Sequence, residues 1–444
     1  MTHDLTKGPV MGSMLLFAVP MILGNLLQQG YNIADTFIVG QFLGANALAA
    51  VGSSFTLMTF LTSIILGLCM GSGNLFSLYF GAKKDTALEE SLRASFVLIA
   101  AVTVFLNLLV FLLIEQLAFL LRVPEEVWPL MRDYLKVIFL GIPAVFFYNY
   151  FAFFLRAVGN SLVPLISLGL SAVLNIGLDL FFIIGLSRGV AGAAEATVIS
   201  QYISGAGISA YALVSCPQLR ALRRISRIRS QALREITSYS FLTCIQQSVM
   251  NLGILMVQGL VNSFGPTIMA AFAAAVKVDA FAYMPVQDFG NAFSTFISQN
   301  YGAKKEDRIQ KGLKGAVVAA CSFSILVSCI VCIFARPLMG LFVKASEQLI
   351  ILEGMRYLRI EGAFYCGIGC LFLLYGLYRA LGKPGMSVVL TIISLGTRVA
   401  LAYLLSSIPS IGVIGIWWSV PIGWFLADSV GLIYYLVRKK QLFS

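Results

Sequence analysis

The chain has 444 residues, of which 59% are hydrophobic and only 11% charged, with a mean hydropathy of +0.89. Soluble domains carry about 25% charged residues, so a soluble protein is excluded and a multi-span membrane protein is implied. The net charge of +11 would suit a nucleic-acid partner, but the Lys and Arg occupy short loops between apolar runs, where they set topology. No nucleic-acid role is expected.

The charged leader Met1 to Lys7 precedes an apolar run too long for the h-region of a cleaved signal. In that first run Asp35 is the only charge between Pro9 and Gly44. A carboxylate near the middle of a bilayer costs roughly 2.5–3.5 kcal/mol. Gln28, Tyr31, Asn32 and Asp35 lie three, four and seven positions apart, which places them on one helix face. A polar stripe on a membrane helix looks into protein or a water-filled cavity.

Apolar runs of helical length follow near 10–42, 46–78, 94–121, 133–155, 163–186 and 192–215, and again near 236–264, 268–300, 315–335, 350–378, 385–406 and 411–437. Each exceeds the ~20 residues a bilayer requires. The expected fold is an all-α polytopic membrane protein of twelve transmembrane helices. With the N-terminus inside, 21 of the 31 Lys and Arg fall in cytoplasmic loops and eight in external ones; Lys277 and Arg398 lie within spans. This bias puts both termini in the cytoplasm of a cell (plasma) membrane.

Three short motifs recur in register. Gly81-Ala82-Lys83-Lys84 returns as Gly302-Ala303-Lys304-Lys305, Arg156-Ala157-Val158-Gly159 as Arg379-Ala380-Leu381-Gly382, and Gly189-Val190-x-Gly192 as Gly412-Val413-x-Gly415. An even number of spans per repeat makes the halves parallel, so two six-helix lobes are expected around a pseudo-twofold along the membrane normal, with a substrate path between them. The expected domains are an N-lobe over 1–218, a basic linker over 219–235 and a C-lobe over 236–444. In the linker Leu222, Ile225, Ile228 and Ala232 alternate with arginines, the pattern of an amphipathic helix on the cytoplasmic lipid surface.

Polar residues inside the spans mark the chemistry. Asn175 and Asp179 are four apart and stack on one face. Asp35, Asp179 and Thr197 each fall roughly seven or eight residues, about 11 Å, from their external helix ends. No Lys or Arg in the N-terminal spans is placed to neutralise the two acids. Such a group either takes up a proton or holds a hard cation such as Na⁺ on its oxygens; a hydrogen-bonded helix clamp is the structural alternative. At the repeat offsets Asp35 aligns with Met256, Asn175 with Arg398 and Asp179 with Ala402. The second half instead carries Lys277, Asp279, Glu361 and Arg398 at one depth, read as a compensating polar core. Asp288 lies deeper, without an evident partner in the sequence, and Asp428 sits deep in the last span.

Catalytic signatures are missing: Gly376 to Lys383 lacks P-loop spacing, and there is no metal or hydrolase motif. No soluble segment is large enough for a nucleotide domain. Cys329/Cys332 and Cys366/Cys370 sit on apolar helices without a histidine partner, His3 being the only one, and read as small packing residues.

The duplicated six-helix halves, Gln28-Gln29-x-Tyr31-Asn32-x-x-Asp35, the Gln299-Asn300-Tyr301-Gly302-Ala303 loop and the two Arg-Ala-x-Gly turns resemble the multidrug and toxic compound extrusion (MATE) family, over nearly all twelve spans. The resemblance implies an antiporter, not an enzyme, that expels organic, often cationic and amphipathic, small molecules in exchange for H⁺ or Na⁺, with no cofactor. In the branch with DNA-damage-inducible members it implies an ion or proton site at Asp35, Asn175, Asp179 and Thr197, and a cavity lined by Gln28, Tyr31, Asn32, Asn149 and Asp288. The other bacterial branch uses an acid in the seventh helix, and 236–264 contains none. The expected partners are small organic substrates and the lipid bilayer, with the chain acting as a monomer. The alternative function is a flippase for a lipid-linked precursor.

Overall fold

The computed structural model describes residues 4–116, 125–223 and 229–443. Among them the regular structure is helical: α1 Val10–Leu43, α2 Ala45–Gly81, α3 Asp85–Leu112, α4 Trp128–Ile138, α5 Ile142–Ala157, α6 Leu162–Asp179, α7 Gly189–Ser215, α8 Ser230–Asn262, α9 Pro266–Gly302, α10 Glu306–Ile333, α11 Ala335–Gly340, α12 Gln348–Gly362, α13 Tyr365–Ala380, α14 Pro384–Ser406 and α15 Val413–Phe443. In a bilayer only a helix or a closed barrel satisfies its own backbone. Ten of the spans are long and apolar enough to cross, α4 and α5 together forming one of them, and the bent pair α12–α13 makes an eleventh. The 27-residue α7 occupies the sixth place in the series.

Two spans read as continuous in the sequence are interrupted at corresponding places. A 3₁₀ turn, Phe139–Gly141, separates α4 from α5, and a bend of 51° separates α12 from α13. Pro143, at the second position of α5, has no N–H to return to the preceding turn.

The first two repeated motifs are helix stops, the third opens a helix, and each pair keeps the same backbone. Lys83 and Lys304 both have φ of 55°, Gly159 and Gly382 have 85° and 73°, and Gly189 and Gly412 have 60° and 54°. At the first two pairs the hydrogen bonds repeat as well. Lys84 N–H donates to Tyr79 O and Lys305 N–H to Asn300 O; Asn160 N–H donates to Leu155 O and Lys383 N–H to Tyr378 O. These six-to-one bonds closed by a left-handed residue are Schellman caps.

The chain forms two compact units, Met1–Asp4 with Val19–Cys244, and Leu5–Ala18 with Ile245–Ser444. They do not coincide with cuts at 218 and 236, because the first part of α1 belongs to the second unit and the first part of α8 to the first. In the first unit the reason is a Gly67-x-x-x-Gly71 face on α2 that lets the α8 backbone approach closely. A Cβ on Gly67 would stand 2.6 Å from Cys244 Cα, and one on Gly71 2.6 Å from Ser240 Cα. Ser72 and Ser240 hydroxyls hydrogen-bond there at 2.8 Å. In the second unit Arg308 donates to Leu5 O, Lys7 O and Gly8 O, while Gln299 Oε1 accepts from Leu5 N–H. The Gln299-Asn300 motif thus anchors the leader segment.

The linker departs from a single amphipathic helix. Pro217–Arg223 is a 3₁₀ segment and α8 begins only at Ser230, with 224–228 outside the described residues. Leu219 is fully buried, Leu222 packs against the first unit's core and Arg229 pairs with Glu90 at 3.4 Å. Leu219 and Leu222 thus pack against protein, while Ile225 and Ile228 lie outside the described residues.

Gly71→Ala is expected to lower stability by about 1–3 kcal/mol through overpacking against α8. Gly207→Ala, with open space around the new methyl, is expected to be neutral or slightly stabilising. Thermal melting of both purified variants checks this.

Candidate functional site

The polar stripe of α1, the end of α6 and the middle of α7 meet inside the first unit. The Asp35 and Asp179 side chains lie within hydrogen-bonding reach of each other. Asp179 is fully buried and Asn175 nearly so, one helical turn away. Asn175 Nδ2 donates to Thr197 Oγ1 at 3.3 Å, and Thr197 Oγ1 donates to Ala193 O at 3.1 Å. The four residues expected to act together are therefore brought together. Asp179 is also the last α-helical residue of α6; the chain continues as a π-helical turn, Leu180–Gly185. Such widened turns recur at functional positions in helices.

The group is rich in acceptors and poor in donors. Asp35 Oδ1, both Asp179 oxygens and Asn175 Oδ1 are buried and accept no hydrogen bond among the described residues. No Lys or Arg pairs with either acid there. Glu195 is held apart from the group by Arg188 at 2.9 Å. Carboxylate oxygens only accept, so two of them in contact require a shared proton or a cation between them. An anion would be repelled.

Of the expected cavity residues, Tyr31 lies near Asp35 with its hydroxyl engaged by Gln28. Asn32 Nδ2 reaches Gln29 Oε1 at 3.5 Å and Asn149 Nδ2 donates to Val145 O at 2.8 Å, so both are occupied along their own helices. Asp288, in the second unit, is buried and is not isolated, contrary to its lone appearance in the sequence. Sequence reasoning missed Tyr134, which is 6% exposed and within electrostatic range of Asp35, Asp179 and Tyr31. Its position in the first turns of α4, away from any motif, gave no signal.

In the second unit Asp279 and Glu361 are buried, near each other and near Arg398, with Tyr365 beside Asp279 and Tyr357 beside Glu361. Lys277 does not join them. It is exposed and its ammonium stands 5.8 Å from the Phe342 ring, because two positions along a helix point to opposite sides. The compensating set is thus two acids and one base. Removing Arg398 is expected to cost about 3–5 kcal/mol by leaving two buried acids uncompensated. Melting of Arg398→Ala, Glu361→Ala and the double variant is expected to show a coupling of about 0.5–3 kcal/mol; additive losses would contradict it.

A family model described as MatE matches residues 20–181 and 240–404. The chain is 30% identical to the "Probable multidrug resistance protein YpnP" of Bacillus subtilis, over 88% of this chain and 87% of that one. It is 26% identical to the "Multidrug export protein MepA" of Staphylococcus aureus, over 98% and 95%. A solved structure of a MOP superfamily transporter from Pyrococcus furiosus superposes with a TM-score of 0.92 at 23% identity, covering 99% of this chain and 98% of that one, a likeness of fold. This multi-pass membrane protein belongs to the MatE family, whose members are transporters of small molecules and not enzymes.

Proposed function

We propose that the protein exports organic compounds, cationic or amphipathic, by alternating access coupled to inward flow of H⁺ or Na⁺, and that Asp35, Asn175, Asp179 and Thr197 carry the coupling ion. The observation that supports this most is the approach of the buried Asp179 carboxyl to the half-buried Asp35 carboxyl, with neither paired to a Lys or Arg among the described residues. The names of the multidrug relatives favour the substrate class. Tyr31, Gln28 and Tyr134 border the pair, and Asn32, Asn149 and Asp288 are proposed to contact substrate. Asp279, Glu361 and Arg398 form a structural polar core in the C-lobe, in which one guanidinium partly compensates two acids. All four coupling residues come from one lobe of one chain, so a monomer suffices. Both termini face the cytoplasm, as the loop cations require.

An inward-moving charge is worth about 2.3 kcal/mol per 100 mV, enough for roughly fifty-fold accumulation of one neutral substrate per ion, since 1.4 kcal/mol is tenfold; one ion exchanged for one monocation is electroneutral and is driven by the ion's concentration gradient. In vesicles with an imposed pH or Na⁺ gradient, the wild type is expected to move ethidium against its gradient, and Asp35→Asn to fall to the background rate while inserting normally. Wild-type transport by Asp35→Asn would overturn the assignment. A peptide tag after Ser444 is expected to be labelled only in permeabilised cells.

A further inference from the structure

The spacing Cys366/Cys370 gains a third thiol that no local motif announces. Cys366 and Cys370 lie one turn apart near the start of α13, and Cys321 of α10 faces them. The Cys366 and Cys321 sulfurs are 3.2 Å apart, those of Cys321 and Cys370 3.8 Å, and all three lie within 4.8 Å of one another. Asp428 of α15 lies beside the group, its carboxylate outside the 4.8 Å that encloses the three thiols. It is in electrostatic range of Cys366 and Cys370, and its Oδ2 lies 3.7 Å from where a Cβ of Gly367 would stand. Its Oδ1 is buried and accepts no hydrogen bond among the described residues. The three cysteines are unbridged. All four residues belong to the second unit, and none takes part in the proposed coupling site.

We infer that Cys321, Cys366 and Cys370, with Asp428 beside them, form a binding site for a thiophilic d¹⁰ cation. Metal–sulfur bonds of about 2.3 Å in a tetrahedron put ligand sulfurs roughly 3.8 Å apart, close to the spacing present. Thiolate donors select soft or borderline ions such as Zn²⁺, Cd²⁺ and Cu⁺ over Na⁺, Mg²⁺ or Ca²⁺, which separates this site from the oxygen-lined group of the first unit. The fourth position is left to water or to the nearby Asp428 carboxylate, whose buried Oδ1 has no hydrogen-bond partner among the described residues. Binding releases thiol protons as sulfur–metal bonds form, and loss of two of them already offsets the charge of a divalent ion within the apolar span. The bound ion ties α10, α13 and α15 together beside the 51° bend that opens α13.

The test is titration of reduced, purified protein in detergent with Cd²⁺, followed by its ultraviolet thiolate charge-transfer band, by bound metal per chain and by melting temperature. One ion per chain, proton release and a raised melting temperature are expected. Cys321→Ser is expected to lower affinity on the order of 100-fold and Asp428→Asn about tenfold, as losses of a ligand or its support do, whereas Cys329→Ser, at an exposed thiol, leaves it unchanged. Where Cys321→Ser melts early without metal, Cys370→Ala replaces it. Absence of binding by the wild type, equal binding by Cys321→Ser or Cys370→Ala, or a Cys321–Cys366 disulfide in place of a metal site would overturn the inference.

Discussion

Two carboxyl groups lie within hydrogen-bonding reach of each other inside an apolar helical unit, and neither pairs with a Lys or Arg among the described residues. In water this would be a minor cost, but in a low-dielectric interior like charges at contact separation cannot both persist. The pair therefore changes state with what occupies the space between its oxygens, and the proposed coupling depends on that bistability. The surrounding helices keep competing donors away. Asn175 turns its amide donor to Thr197, its buried oxygen accepting no hydrogen bond among the described residues, and Arg188 is spent on Glu195. A helix change at Asp179, from α to π, places this acid where local backbone geometry is already irregular.

The two halves share a scaffold and differ in chemistry. Matching left-handed caps at Lys83 and Lys304, and at Gly159 and Gly382, preserve the same helix stops, so the duplicated backbone survives. The side chains at the positions equivalent to the acid site have become Met256, Arg398, Ala402 and Val420. A guanidinium there would repel a cation, and it neutralises buried acids from other helices instead. On the proposed reading the first lobe responds to the ion and the second serves as a stiff counterpart.

Much of this was legible because membrane helices write their requirements locally. Apolar runs gave the spans, cap motifs gave the repeat, and three- and four-residue spacing gave the faces that join Gln28, Tyr31 and Asp35, or Asn175 and Asp179. The same rule, applied to Lys277 and Asp279, separates them, and depth along the helix alone misled. Contacts made across helices left no such trace. Tyr134 reaches the acid pair, Cys321 meets Cys366 and Cys370, and Gly67 with Gly71 draws part of α8 into the first unit, each through packing partners more than forty residues away. The bend after Glu361 was hidden because apolar residues continue through it.

The central claim is that the ion is carried by the first lobe alone. Proton release or Na⁺ binding on adding substrate, measured on purified protein for Asp179→Asn and Asp288→Asn in parallel, tests it most directly. The account predicts that the signal disappears in Asp179→Asn and persists in Asp288→Asn, even where substrate affinity changes in the latter. Persistence in Asp179→Asn with loss in Asp288→Asn would place the ion in the other lobe and contradict it.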